Sequence, residues 1–330
     1  MRTRTFTSRT LLYGVLLAVL IAAPYLGVYP VFMMKVLCFA LFAAAFNLLI
    51  GFTGLLSFGH AMFLATAGYT AGYAIQTLGL TPELGVLAGT LAATLVGIVV
   101  GLLAIRRQGI YFAMVTLALA QMVYFVFLQA PFTHGEDGLQ GVPRGKLFGV
   151  ISLSSDLTLY YVVLVTTVCA FALIVRIVRS PFGQVLTAIK ENEPRAISLG
   201  YDTVRYKLLG FILSAGLAGL AGSLKTVVQG FETLNDAHWA MSGLVILMTL
   251  VGGMGTMFGP LLGAAIIVAL EDRLGDIGNG LANLTGIDWF HSLGESVTIV
   301  TGIIFIACVL AFRRGIVGEI VARVTSLTEP

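Results

Sequence analysis

The chain has 330 residues, of which 58% are hydrophobic and only 11% are charged, and its formal net charge is +3. A soluble globular domain carries roughly 25% charged residues, so this composition excludes an ordinary soluble domain. Several apolar stretches reach the ~20 residues that a helix needs to cross a bilayer. They predict an all-α polytopic membrane protein. Its surface is expected to contact the lipid bilayer and not to bind nucleic acid.

The apolar segments predict about eight to ten membrane helices, some of them short or broken. We place them at 11–26, 31–50, 61–78, 84–105, 110–130, 157–178, 206–228 and 293–312, with two short or broken helices between 239 and 270. At about 1.5 Å of rise per residue, neither half of 239–270 comfortably crosses a ~30 Å hydrocarbon core. The membrane domain is expected at 11–312, with a polar, acidic connection at 271–292. Residues 1–10 and 313–330 are then terminal tails.

Charged residues are unevenly divided between the two sides of the predicted membrane. If the N-terminus lies inside the cell, the inner segments hold 14 of the 19 Lys and Arg residues, and 11 of the 16 acids lie outside. Lys and Arg are enriched in the cytoplasmic loops of membrane proteins. We therefore expect both tails and the polar residues 180–204 to be cytoplasmic, and the long loop 131–156 to lie on the outer side.

Residues 180–204, which we call the 180–204 segment, form the longest polar interruption with a helical pattern. Residues 183–192 place Val185, Leu186 and Ile189 on one face of a helix. Pro194 suits the first turn of a second helix, and Gly200 is placed to end it. Two short amphipathic helices would form a compact knob. The polar side of this knob carries Lys190, Glu191, Glu193 and Arg195.

The pattern of the 180–204 segment fits two interpretations. The segment either docks onto a separate ATP-driven subunit or rests with its apolar faces on the membrane surface. The phosphate-binding motif G-x-x-x-x-G-K-[ST] does not occur in the sequence. If ATP drives this protein, the ATPase is therefore another chain.

Two glycine-rich interruptions fall in opposite halves of the chain. The first contains Gly51, Gly54 and Gly59, and the second contains Gly252, Gly253 and Gly255. Paired interruptions of membrane helices point to a transport pathway, because unwound backbone is tolerated at membrane depth only where protein or water covers it. Glycines also let helices pack tightly. The pattern alone leaves both interpretations open.

Polar residues beside the first interruption are candidates for the pathway. Ser57 and His60 are predicted to line it, although a structural histidine bonded to a nearby carbonyl fits the sequence equally well. Asn47 and Gln121 are more readily interpreted as residues that hydrogen-bond between helices.

Neither catalytic nor metal-binding residues are predicted. The three cysteines lie in separate apolar segments without the spacing of a metal site or a disulfide. The motifs H-E-x-x-H and G-x-S-x-G do not occur. We therefore expect this chain not to be an enzyme.

Several ordered stretches carry a resemblance to a known family. They are 47–61 (NLLIGFTGLLSFGHA), 109–118 (GIYFAMVTLA), 137–139 (DGL), 180–183 (SPFG), 188–193 (AIKENE), 207–208 (KL), 218–222 (AGLAG), 252–256 (GGMGT) and 259–260 (GP). In these stretches the chain resembles the permease subunits of branched-chain amino-acid ABC importers, of the LivM type within the LivH/LivM family. The match covers nearly the whole chain, in order.

The resemblance implies the ABC importer permease fold in a bacterial inner membrane, with 131–156 facing the periplasm. It implies a second, LivH-like permease, two ATP-binding subunits of the LivG/LivF type and a periplasmic substrate-binding protein. It also implies that the 180–204 segment is the coupling helix, with contacts to the ATPase from Lys190, Glu191, Asn192, Glu193, Arg195 and Ala196. No cofactor is expected in this chain, because ATP and magnesium would be bound by the partner subunits.

The resemblance defines the type of transporter more sharply than it defines the transported solute. Leucine, isoleucine and valine are the expected cargo, but related permeases move urea, short amides or other small solutes. An ion-coupled secondary transporter is the main rival, although such proteins often keep an intramembrane carboxylate and the sequence places none near the middle of a predicted span. A purely structural membrane subunit is a further alternative.

Overall fold

A computed structural model describes residues 18–285, 302–303, 306 and 315–319. Residues 18–22 are helical and lead into a 3-10 turn at Ala23–Leu26. The α-helices that follow are α1 (Pro30–Asn47), α2 (His60–Gln76), α3 (Pro82–Ala104), α4 (Ile110–Gln129), α5 (Asp156–Arg179), α6 (Pro181–Glu191), α7 (Glu193–Ser198), α8 (Thr203–Gln229), α9 (Leu234–Ala237), α10 (Trp239–Gly252) and α11 (Gly259–Thr285). A π-helical segment, Leu48–Thr53, extends α1.

The described helices form an inner and an outer layer. Five spans are long and apolar enough to cross a bilayer: Pro30–Thr53, Pro82–Ala104, Ile110–Gln129, Asp156–Arg179 and Thr203–Gln229. The first and the last are 89% and 78% buried within the chain, whereas the other three are 28% buried. Helices α1 and α8 therefore form the core together with α2, and the outer three expose large apolar side chains to the surroundings.

Small residues set the close packing of the core helices. A Cβ added at Gly222 of α8 would lie 2.1 Å from the carbonyl oxygen of Leu64 in α2. A Cβ at Gly219 would lie 2.4 Å from the Cβ of Ala93 in α3. Backbones therefore approach closely where α8 crosses its neighbours, as is common among membrane helices.

The two ends of the bundle differ in structure. One end, the 131–156 end, carries 3-10 turns at Pro131–Thr133 and Gly135–Asp137 and four two-residue strands. Strand β1 (Leu139–Gln140) pairs antiparallel with β4 (Phe231–Glu232), and β2 (Lys146–Leu147) pairs antiparallel with β3 (Ile151–Ser152). The opposite end, the 180–204 end, carries α6, α7 and both glycine-rich interruptions.

Most predicted membrane helices within the described residues are confirmed, with one correction. Helix α10 has 14 residues and rises roughly 21 Å, so it is short as predicted. Helix α11 is neither short nor broken, because it runs 27 residues from Gly259 to Thr285, into the stretch 271–292 that was predicted as a polar connection. Glu271 and Arg273 have good helix propensity, so these polar residues do not interrupt the backbone hydrogen bonds of the helix. The predicted helix at 293–312 and both tails lie largely outside the described residues.

Candidate functional site

The two glycine-rich interruptions meet at the 180–204 end. Helix α1 loosens into its π-helical segment and ends at Gly54, which has a φ of 78° that favours glycine. Helix α10 ends at Gly252, and Gly253 follows with a φ of 121°. A Cβ added at Gly51 would lie 2.8 Å from the backbone nitrogen of Gly255. The two breaks, although about 200 residues apart in sequence, therefore pack backbone against backbone.

Asn47 joins the two breaks. Its amide nitrogen donates to the carbonyl oxygen of Thr256 at 2.9 Å, and its amide oxygen accepts from the backbone nitrogen of Gly255 at 2.9 Å. One side chain thus satisfies a donor and an acceptor of unwound backbone, as buried backbone requires. The prediction that Asn47 hydrogen-bonds between helices is confirmed.

The remaining glycines of the breaks also pack closely. A Cβ at Gly59 would lie 2.6 Å from the carbonyl oxygen of Thr116 in α4, and a Cβ at Gly252 would lie 1.8 Å from that of Gly259. Tight packing at glycine, one of the two interpretations of the pattern, is therefore present at both breaks. Whether the breaks also line a pathway stays a prediction.

The 180–204 segment consists of two capped helices, as predicted. The side chains of Ser180, Asn192 and Asp202 accept backbone N–H groups at the starts of α6, α7 and α8. Pro194 lies in the first turn of α7, and Gly200 follows the helix with a φ of 88°. Local sequence signals therefore define this part of the site.

One face of the 180–204 segment is buried and the other is exposed. Leu186, Ile189 and Ala196 are buried against the membrane domain, so Ala196 does not lie on the outer surface. The exposed face combines charged and polar residues with apolar ones: Glu191, Asn192, Arg195, Ile197, Leu199, Tyr201 and Val204.

Two of the residues predicted to contact an ATPase, Lys190 and Glu193, also form bonds within the chain. Lys190 is exposed as a residue, but its ammonium group donates to the carbonyl oxygen of Gly51 at 2.7 Å. Glu193 forms an ion pair of 2.6 Å with buried Lys207 on α8, and it accepts from the amide of Gln108 at 3.2 Å. These contacts attach the segment to the first break, to α8 and to the loop after α3.

A cavity of about 490 Å³, with both polar and apolar walls, lies between the 180–204 segment and the breaks. Its walls come from the first break, from Met254 of the second break and from α6, and Lys190, Glu193 and Lys207 bring charges to it. The cavity has the size of a small-molecule site. It places these charges at the end of the bundle rather than at the middle of a span.

His60 and Ser57 are enclosed rather than open to a cavity. The His60 ring is fully buried and lies edge-on to Phe46, Phe63 and Phe211. Its Nε2 is 2.8 Å from the hydroxyl of Ser214, and that hydroxyl donates to the carbonyl oxygen of Ala45 at 2.6 Å.

Ser57 is also fully buried, and its hydroxyl accepts the backbone N–H of Gly59 at 3.2 Å. The burial of His60 fits its structural alternative, although its hydrogen-bond partner is the Ser214 hydroxyl rather than a carbonyl. The predicted place of both residues along a pathway stays untested.

A buried ionic cluster at the 131–156 end was not predicted. Lys225 of α8 lies 2.7 Å from the carboxylate of Asp236 and 3.3 Å from that of Glu232. The hydroxyl of Thr226 donates to Glu232 at 2.6 Å. Gly68 of α2 leaves room for this cluster, because a Cβ there would lie 2.4 Å from the Glu232 carboxyl carbon.

The charges of this cluster do not balance, since two carboxyl groups face one ammonium group. Burial raises the pKa of the Glu232 carboxyl to about 8, because Lys225 only partly offsets the loss of water and the charge of Asp236 adds to the rise. The Oε1 atom of Glu232 has no hydrogen-bond partner among the described residues.

The cluster was hard to find from sequence. The Thr233-to-Asp236 capping box and the position of Lys225, four residues before the end of a span, were its visible signals.

The five apolar spans among the described residues define a multi-pass α-helical membrane protein. The chain belongs to the family of permease components of branched-chain amino acid transport systems, whose pattern matches residues 31–309.

Several known proteins are similar to it. LivM of Escherichia coli K12, a high-affinity branched-chain amino acid transport system permease protein, is 29% identical over 258 residues, which is 70% of this chain and 60% of LivM. The ribose import permease protein RbsC of Bacillus subtilis is 29% identical over 324 residues, 88% of this chain and 92% of RbsC. The probable LivH of Methanocaldococcus jannaschii is 31% identical over 140 residues, 42% of each chain.

The chain spans about 60% of the length of the LivM relatives that it matches. No solved structure matches it.

Proposed function

We propose that this chain is one of two permease subunits of an ATP-driven importer for leucine, isoleucine and valine. The observation that carries the proposal is the 180–204 segment, a capped, partly exposed knob seated on the meeting point of two helix breaks. Such a knob presents a surface to a partner while it contacts the unwound backbone of the membrane domain. The family, whose permeases serve branched-chain amino acid transport, supports this assignment.

The proposed partners follow from the same assignment. A LivH-like permease completes the translocation path, and two LivG/LivF-like subunits hold ATP and magnesium. A periplasmic binding protein delivers the cargo to the 131–156 end. In this arrangement the protein lies in the bacterial inner membrane with both termini in the cytoplasm. Ile197 and Leu199, two large exposed apolar side chains on α7 and after it, are suited to burial in such an ATPase cleft.

Cross-linking tests the docking of the 180–204 segment. In a chain without its native cysteines, Glu191→Cys is expected to form a disulfide with a cysteine placed in the ATPase cleft, because Glu191 is exposed on the knob. Phe148→Cys is the matched control, since Phe148 is also exposed but lies at the opposite end. Reaction of the Phe148 variant, or labelling of Glu191→Cys from the periplasm, would contradict the assignment.

Transport measurements test the energy source and the cargo. Leucine uptake by the assembled complex is expected to persist with a proton ionophore and to stop on ATP depletion, whereas an ion-coupled transporter would show the reverse.

A second candidate cargo is another small solute such as a sugar, urea or a short amide. Of these solutes, a sugar is favoured by the match to the ribose import permease RbsC, which covers 92% of that protein. Competition of labelled leucine uptake by excess ribose, urea or acetamide distinguishes these cargoes.

A further inference from the structure

The side chain of Lys190 crosses from the 180–204 segment to both helix breaks. Its Nζ donates to the carbonyl oxygen of Gly51, 139 residues earlier in the chain, at 2.7 Å. Its stem lies over Gly54, where an added Cβ would approach the Lys190 Cγ to 2.9 Å. A Cβ at Gly255 would lie 3.9 Å from Nζ. A side chain at Gly54 would therefore block the route that Lys190 takes.

The carbonyl group of Gly51, which Lys190 binds, lies where helix α1 loses its regular α-helical hydrogen bonds. The last carbonyl groups of a helix have no partner within the helix, and they form the negative end of its dipole. Gly51 lies in the π-helical extension of α1, a geometry that is rare and concentrated at functional sites. An ammonium group at this place stabilises the unwound end by charge and by a hydrogen bond. Among the described residues no carboxylate forms an ion pair with Lys190.

The contact continues from the first break into the second. Asn47, one helical turn before Gly51, bonds to Gly255 and Thr256. Gly51 itself packs on the backbone of Gly255. A displacement of α6 would therefore act on both breaks together rather than on one helix.

We propose that Lys190 is the positioning residue that transmits movement of the 180–204 segment to the two helix breaks, with Asn47 joining the breaks to each other. This inference rests on the proposed function, since it requires an ATPase that moves the segment. In it Glu193, paired with Lys207, anchors the segment to α8, whereas Lys190 transmits its movement to unwound backbone that can rearrange. Lys190 thus acts inside this chain and not through the ATPase surface.

The test measures leucine transported per ATP hydrolysed by the complete complex with its binding protein. Lys190→Met keeps the length of the stem and removes the donor, and we expect it to lower this ratio at least fivefold while ATP hydrolysis stays within twofold of wild type. Lys190→Arg should restore much of the ratio, because it keeps the charge and the donor. Arg205→Met is the control, since Arg205 is an exposed cation of α8 that pairs with Asp202.

Two outcomes separate this inference from the proposed function. An unchanged ratio in Lys190→Met overturns the inference, including the case in which transport and hydrolysis fall equally, as a merely structural role would cause. Failure of the wild-type complex to couple leucine uptake to ATP would instead overturn the proposed function. If Lys190→Met abolishes assembly, Asn47→Leu is measured in its place, and the same loss of ratio is expected.

Discussion

Substitution of Lys225 by Met is expected to destabilise the protein strongly. The ammonium group of Lys225 lies 2.7 Å from Asp236 and 3.3 Å from Glu232, and the three side chains are 4%, 7% and 0% exposed. Met has a similar length, so the variant removes the charge with little change in packing volume. The two carboxyl groups then remain buried without a cation.

The magnitude follows from the charge that is left behind. Removing one partner of a buried ion pair costs about 3–5 kcal/mol, because the other charge stays uncompensated. With its pKa raised to about 8 by burial, Glu232 is mostly neutral at pH 7 and adds little to that charge. Asp236 therefore dominates, and we expect the lower end of the range. At an unfolding entropy of about 2.1 cal/mol/K per residue, a loss of about 3 kcal/mol in this 330-residue chain corresponds to a fall in the melting temperature of roughly 4 °C.

The assay is thermal unfolding of the purified protein in detergent at pH 7. Lys146→Met, an exposed cation at the same end of the bundle, should shift the melting temperature by less than about 2 °C. Adding Asp236→Asn to Lys225→Met should restore more than half of the loss, since it removes the unpaired charge and keeps an acceptor for Thr233. A melting temperature unchanged in Lys225→Met, or a further fall in the double variant, would refute this reasoning.

Three further predictions concern other parts of the bundle. The folded-state pKa of Glu232, about 8, exceeds the ordinary value near 4.5, so its contribution to stability is present at low pH and is lost as the pH rises toward and through 8. The melting temperature should accordingly fall between pH 6 and pH 9, and Glu232→Gln should flatten this slope. Gly222→Ala should lower the yield of folded protein in detergent, because its Cβ would meet the Leu64 carbonyl at 2.1 Å. Gly243→Ala, in open space on α10, should be neutral or slightly stabilising, and equal yields would contradict the packing argument. His60→Ala should cost about 2–4 kcal/mol of stability through the cavity and the lost bond to Ser214. If His60 instead lines the pathway, this variant will keep its melting temperature and lose only transport.

Local features of the sequence predicted the helices well, because each depends on residues close together in the chain. Long apolar runs favour membrane helices, and proline and glycine mark where α6 and α7 begin and end. The same signals misjudged α11, because polar residues such as Glu271 can continue a helix as readily as apolar ones.

The contacts within the site were beyond such reasoning. Helix α1 is buried on every side, so its hydrophobic pattern has no face that indicates a neighbour. With 39 glycines in the chain, small residues also do not single out the positions at which helices touch. The inward direction of Lys190, and with it the contact to Gly51, could not be distinguished from an outward charge on an amphipathic helix.

By itself, the sequence determined that this is a polytopic helical membrane protein with a capped polar knob, because composition and short-range signals decide where helices form. Only the tertiary structure decided that the two breaks meet through Asn47, that Lys190 bonds to one of them, and that Lys225 lies between two buried carboxyl groups. Each of these depends on how distant helices pack, and the pairing of Asn47 with Thr256 spans 209 residues. Packing of this kind is set by the fit of whole helix surfaces, which no local pattern records.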